Sequence, residues 1–321
     1  FGVAALERIR QKIFAILLTF FCFYSCSAQA AAFLQSADVT AMPSKPADHR
    51  LAYGADPSQY GDLRLPKGKG PFPVAIILHG GCWISSLATA DNTSPLADAL
   101  RDQGVATWNV EYRGIDNGGG WPVTFQDVAA AADYLTKIAV KYSLDLHHVI
   151  AVGHSAGGHL ALWLAARHKL PTTSVLYTKH PLPISAVVTL GGIGDLQAYN
   201  AQPRNPCGKD TILQLLGNDP DLLTKRYLEA SPAALLPLGV PQILIHGSDD
   251  TIVPPNFGDD YVTAAKNSGD NAQIIIISDS AHHEYIAPGS IAWPAVKKAI
   301  LSTIVQPPTH TLYSAPSTTY H

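Results

Sequence analysis

The stretch Val149-Ile150-Ala151-Val152-Gly153-His154-Ser155-Ala156-Gly157, followed by the apolar run to Arg167, decides the fold. Val149 to Gly153 is a short apolar run of the kind that forms a strand buried on both faces. Ala156 to Arg167 has helix-forming composition. Between them, Gly153-His154-Ser155-Ala156-Gly157 fits G-x-S-x-G. A serine there sits on a sharp strand-to-helix turn, with its side chain above the sheet edge and at a helix N-terminus. The pattern alone is common; its placement between strand and helix gives it weight.

Outward from this turn, strands and helices alternate from about residue 60 to 305. Val74–His79, Val105–Tyr112, Ala186–Leu190, Gln242–His246 and Gln273–Ser278 read as strands. Ser94–Gln103, Thr124–Val140, Pro255–Lys266 and Ile291–Val305 read as helices. Repeated β-then-α order implies an α/β fold, a mostly parallel central sheet with helices on both faces. Residues 199–235 break the rhythm and are expected to form a small insertion over the C-terminal edge of the sheet.

A serine hydroxyl is a poor nucleophile at neutral pH. It needs a base within hydrogen-bond reach, and that base needs an orienting acid. Two later loops supply them, each at the C-terminal end of an expected strand. His246-Gly247-Ser248-Asp249-Asp250-Thr251-Ile252-Val253-Pro254 offers Asp250, with Asp249 as its rival. Ser280-Ala281-His282-His283-Glu284 offers His282, with His283 as its rival. A metal reading of His282-His283-Glu284 lacks helical H-E-x-x-H spacing and distant ligands, so no metal is expected. His79-Gly80-Gly81-Cys82-Trp83 follows the Val74–His79 strand and offers backbone N–H groups to a developing oxyanion. Gly81 and Cys82, with Ala156 after the serine, are the expected donors. Trp83 and Trp121 are candidate pocket walls, with packing as the competing role. Asp195 and Asp127 read as helix-end residues without catalytic work.

These motifs together resemble α/β hydrolases of the kynurenine formamidase-like (arylformamidase-like) group and its esterase relatives. The resemblance is carried by the H-G-G-x-W loop at His79–Trp83, by Glu111-Tyr112-Arg113, by Gly118-Gly119-Gly120-Trp121-Pro122 and by Phe125-Gln126-Asp127-Val128. It extends to His282-His283-Glu284-Tyr285-Ile286 and Ala292-Trp293-Pro294. It spans about residues 60–305. It implies an α/β-hydrolase fold, the triad Ser155, Asp250 and His282, and no cofactor. The family's H-F-[ED] ending aligns its histidine with His282; His283 stands where that pattern has Phe. The expected activity is serine carboxylesterase action through an acyl-enzyme, with small acyl groups expected because the sequence offers no long apolar lid segment. The rivals are arylformamidase action, an esterase acting on acetyl xylan, feruloyl or polyester polymers, and a non-catalytic binding module on the same fold.

Composition narrows the rest. With 321 residues, 47% hydrophobic and 15% charged, the chain has ample apolar surface for one large core. A net charge of −3 leaves no basic excess for phosphates, so nucleic acid is not an expected partner. Residue 1 is Phe and the single Met is Met42, so an upstream or non-standard start is expected. Arg8, Arg10 and Lys12 precede the apolar run Ile13–Phe23, and Ala28-Gln29-Ala30 closes the order of a secretory signal peptide over residues 1–30. An uncleaved anchor is the alternative, but that run is far short of the ~20 residues a spanning helix needs. The expected locale is therefore secreted or periplasmic, with no membrane contact after cleavage. The catalytic domain is expected over 31–306 and a disordered Pro/Ser/Thr-rich tail over 307–321. Cys22 and Cys26 leave with the leader, and Cys82 and Cys207 are expected to stay unpaired because Cys82 lies in the oxyanion loop.

Overall fold

A computed structural model describes residues 32–305. The expected leader, Cys22, Cys26 and the expected tail lie outside the described residues. Eight strands form one sheet in the order β1-β2-β4-β3-β5-β6-β7-β8. They are β1 (His49–Ala52), β2 (Tyr60–Arg64), β3 (Phe72–Leu78), β4 (Ala106–Val110), β5 (Leu144–His154), β6 (Ala186–Leu190), β7 (Gln242–Gly247) and β8 (Ala272–Ile277). β1 pairs antiparallel with β2, and β2 with β4; every pairing from β4 through β3 to β8 is parallel.

The helices are α1 (Ser36–Thr40), α2 (Ser94–Arg101), α3 (Val123–Tyr142), α4 (Ala156–Ala166), α5 (Leu196–Asn200), α6 (Thr211–Leu216), α7 (Pro220–Ala230), α8 (Pro255–Asn267) and α9 (Trp293–Val305). Strand alternation sends successive side chains to opposite faces. In β3, Val74, Ile76 and Leu78 enter the core under α3, α4 and α8, whereas Ala75 and Ile77 enter the core with Leu96, Leu100, Val296 and Ile300 of α2 and α9. Both faces are thus covered, which is why the parallel strands read as continuous apolar runs.

Strand register places the site. Leu78 pairs with Gly153, and His154 with Leu190. The C-terminal ends of β3, β5, β6 and β7 therefore lie side by side, and the loops that follow them converge where open α/β sheets bind ligands. The 199–235 stretch holds α6 and α7. It packs against α4 through Trp163 Nε1–H, which donates to Glu229 O at 3.0 Å. Asp195 caps α5, accepting the N–H groups of Gln197 and Ala198 at 2.8 and 3.1 Å. Asp127, buried in α3, holds Arg113 at 2.7 and 2.8 Å.

Candidate active site

β5 ends at His154 and α4 begins at Ala156, so Ser155 alone forms the turn. Its φ of 53° and ψ of −121° lie where a side-chain-bearing residue is strained. The flanking glycines make the turn possible. A Cβ on Gly153 would lie 2.0 Å from Gly157 O, and one on Gly157 would lie 2.1 Å from Leu78 O. Ser155 N–H donates to Leu190 O at 2.9 Å, while Ser155 O accepts Gly158 N–H at 2.8 Å to start the helix. The serine is 2% exposed.

Asp250 and His282 meet: His282 Nδ1 lies 2.8 Å from Asp250 Oδ2. The other carboxylate oxygen accepts the N–H groups of Ile252 and Val253, each at 2.9 Å. Burial pushes the Asp250 carboxyl up, but the hydrogen bond and charge of His282, with Val253 N–H and the Tyr285 hydroxyl, hold it below its ordinary value. An ionised carboxylate accepts only, so His282 carries its proton on Nδ1 and presents Nε2 as an acceptor. Asp249 is exposed and takes the Ser248 hydroxyl at 2.7 Å. His283 stands edge-on to His282 at 5.3 Å, and its Nδ1 has no partner among the described residues. Burial and the neighbouring His282 charge pull its pKa down to about 4. Of the two rival pairs, the structure brings together Asp250 and His282.

Two contacts tie this pair to Ser155. His154 Nε2–H donates to His282 O at 2.9 Å, and the two rings lie 4.6 Å apart. Leu190 receives the Ser155 N–H, and the next residue, Gly191, faces the pair. A Cβ on Gly191 would lie 3.1 Å from both Asp250 Oδ2 and His282 Nδ1. Among the described residues neither Ser155 Oγ nor His282 Nε2 takes a hydrogen-bond partner.

The loop after β3 packs directly on the turn, since a Cβ on Gly80 would lie 3.0 Å from Ser155 Cβ. Gly81, Cys82 and Trp83 all have positive φ, at 88°, 54° and 58°. Among the described residues no acceptor takes the N–H of Gly81, Cys82 or Ala156. The loop is anchored from below. His79 Nε2 lies 3.1 Å from Glu111 Oε1, its ring stacks on Tyr112 at 4.3 Å, and Tyr112 O–H donates to His79 O at 2.8 Å. Burial pushes the Glu111 carboxyl up, but His79 and the N–H groups of Ala90 and Tyr112 bring it below its ordinary value. Trp83 is fully buried and donates its indole N–H to His159 Nδ1 at 3.2 Å, so its ring packs beneath the loop. His159 Nε2–H in turn donates to Ala230 O at 2.9 Å. Trp121 is half-buried against Phe125, with the Arg226 guanidinium 5.8 Å from its ring.

The cysteines depart from expectation. Cys82 and Cys207 form a disulfide, with Cα atoms 5.4 Å apart and a sequence separation of 125. The disulfide engages only the Cys82 side chain and leaves the backbone N–H groups of the loop unchanged, so it joins the loop to the 199–235 stretch without using them. Among the described residues no group of three or more His, Cys, Asp or Glu is placed to hold a metal ion, and no helix is long and apolar enough to cross a membrane.

Three comparisons bear on this site. Residues 62–264 match the BD-FAE family. A probable isoprenylcysteine alpha-carbonyl methylesterase of Arabidopsis thaliana is 23% identical over 72% of this chain and 50% of its own length. A second Arabidopsis thaliana protein, isoprenylcysteine alpha-carbonyl methylesterase, is 24% identical over 74% of this chain and 57% of its own. The chain thus spans about half the length of the curated relatives it matches. Among solved structures, a truncated carbohydrate esterase from gut microbiota superposes with a TM-score of 0.67 at 22% identity, covering 84% of this chain and 99% of that one. A propionate-bound esterase from Thermogutta terrifontis superposes with a TM-score of 0.65 at 20% identity, covering 82% and 95%. With a mostly parallel eight-stranded sheet, a strand–serine–helix turn at its centre and a family match across most of that sheet, the chain has the α/β-hydrolase fold and belongs to the BD-FAE family.

Proposed function

We propose that this protein is an exported serine carboxylesterase acting on esters of small acyl groups. The observation that carries the reading is the 2.8 Å contact between His282 Nδ1 and Asp250 Oδ2 beside the Ser155 turn. Ser155 Oγ attacks the ester carbonyl carbon while His282 Nε2 takes its proton. The carbonyl oxygen becomes negative and is met by the N–H groups of Gly81, Cys82 and Ala156. Collapse of the tetrahedral intermediate breaks the ester bond, and His282 returns the proton to the departing alcohol oxygen. Water then attacks the acyl-enzyme; His282 takes its proton and delivers it to Ser155 Oγ as the acid leaves. Asp250 stays ionised throughout, orienting the imidazole and stabilising its cation.

The names of relatives support ester chemistry: a methylesterase, a carbohydrate esterase and an esterase bound to propionate. The Cys82–Cys207 disulfide supports an oxidising compartment, as the leader motif does. Trp121 is the candidate wall of the acyl or alcohol pocket. The test compares wild type with Ser155→Ala on p-nitrophenyl acetate, butyrate and octanoate, methyl ferulate, acetylated xylan and N-formylkynurenine. The reading requires ester turnover that favours the short esters and vanishes in the variant. A dominant preference for N-formylkynurenine would make it a formamidase, and silence in a folded protein would return it to a binding role.

A further inference from the structure

Tyr285 follows His282 by three positions, in the one-turn helix Glu284–Ile286, and is fully buried beside the acid–base pair. Its oxygen accepts Gly247 N–H, and its O–H donates to Asp250 Oδ2 at 3.0 Å. That is the same carboxylate oxygen that receives His282 Nδ1. The two N–H donors on Oδ1 come from the backbone of the acid's own loop, so they travel with Asp250. Tyr285 comes from the histidine's loop, and it engages the atom that orients the histidine. Gly247 N–H occupies the acceptor side of the phenol, which aims its single proton at the carboxylate. Burial and the Asp250 charge raise the phenol well above its ordinary range, so it acts as a neutral donor.

We propose that Tyr285 is a positioning residue that fixes Asp250 and tempers its pull on His282. The inference rests on the serine-hydrolase reading above. Two donors on one oxygen divide its negative charge. Without the phenolic proton, Asp250 Oδ2 carries more charge toward His282, which makes the imidazole a stronger base. The remaining titratable groups around the pair are His154, His246, His283, Tyr199 and Glu284. Burial holds His154, His246 and His283 below their ordinary range and Tyr199 above its own. Glu284 is engaged by the N–H groups of Leu34 and Ala281 at 2.7 and 3.1 Å.

The experiment is the pH profile of kcat/KM for wild type, Tyr285→Phe and Tyr261→Phe on p-nitrophenyl acetate. Tyr261 is the control: it also loses a buried hydroxyl contact, to Gln242 at 2.8 Å, but on α8. Tyr285→Phe should move the acid limb upward by roughly half a pH unit and lower kcat about fivefold, with KM little changed. Tyr261→Phe should leave the limb in place. If Tyr285→Phe does not fold, 3-fluorotyrosine at 285 sharpens the donor without removing it, and the limb should move downward. An unmoved limb in the folded variant, with kcat within twofold of wild type, overturns the inference. The serine-hydrolase reading survives that result if Ser155→Ala is dead and phenylmethylsulfonyl fluoride labels Ser155. Loss of both Ser155 dependence and labelling sinks the reading and the inference with it.

Discussion

Gly191→Ala tests whether the site has room to spare. Gly191 joins the end of β6 to the acid–base pair and has a φ of 59°. An added Cβ would lie 2.8 Å from Tyr285 Cε2 and 3.1 Å from both Asp250 Oδ2 and His282 Nδ1. The left-handed backbone costs an alanine about 1–2 kcal/mol. Overpacking adds about 1–3 kcal/mol, because the contacts are a fixed ring and a hydrogen-bonded pair rather than the end of a flexible chain. Reduced freedom of the unfolded chain offsets roughly 0.4–1 kcal/mol. The expected net loss is about 2–4 kcal/mol, or roughly 5–15 °C in Tm at 2–4 °C per kcal/mol. Displacement of His282 by a few tenths of an ångström should cost about tenfold in kcat, given that 1 Å can cost a hundredfold. Gly239→Ala supplies the reference. Its φ is 77°, and a Cβ there meets nothing within 4 Å, so it bears the backbone cost alone. Differential scanning calorimetry and p-nitrophenyl acetate turnover on both variants decide the matter. Equal Tm losses with wild-type kcat in Gly191→Ala would refute the packing argument.

Asp250→Asn should lower kcat by about ten-thousandfold, since the amide no longer selects the Nδ1–H tautomer, whereas Asp249→Asn should stay within about twofold; the reverse order would exchange their roles. His282→Ala should lose at least about a thousandfold in ester turnover and His283→Ala less than about tenfold, and comparable losses would undo the assignment of the base. Cys207→Ser should lower unfolding free energy by about 2–5 kcal/mol in urea, from a chain-entropy term near 5 kcal/mol for so long a ring; an unchanged midpoint would refute it. Burial brings the His159 pKa down to about 4. The unfolded imidazole binds a proton below about 6.5 and the folded one only below about 4, so His159 removes stability as pH falls through that window, by about 1.4 kcal/mol per unit. His159→Gln should flatten the urea-measured slope between those limits by one proton, and an unaltered slope would show that His159 is not neutral in the fold.

The parts of the molecule legible from sequence were those where chemistry and burial agree. β6 is visible as Ala186–Leu190 because both its faces are buried, and Ser155 is visible because only a strained turn needs glycines at 153 and 157. The meeting of Asp250 with His282 follows from two loops at adjoining strand ends, although the choice over Asp249 and His283 needed geometry. β1 escaped notice because His49–Ala52 is short, polar and mostly exposed; its place comes from pairing with β2 rather than from its own pattern. β5 begins earlier than its apolar run, at Leu144, because Asp145, His147 and His148 occupy the partly exposed start of the strand. The contributions of His154, Gly191 and Tyr285 depend on groups brought together where β5 and β6 end and in the loop after β8, which no local periodicity encodes. The disulfide is not legible in the sequence, because the loop motif speaks for the backbone of Cys82 and says nothing of its sulfur.

That disulfide divides the site topologically. The segment from Cys82 to Cys207 closes a covalent circle that contains β4, α3, β5, Ser155 and β6. Asp250 and His282 lie outside it, on a linear arm joined to the circle by peptide bonds after Cys207. A peptide cut beside the exposed Val175 would open the circle yet keep both pieces tethered through sulfur. A cut between α6 and α7 would instead leave the arm bearing Asp250 and His282 with no covalent tie to Ser155. It would then be held by packing and by the ladder of β7 against β6, from Val187–Gln242 to Leu190–Ile245.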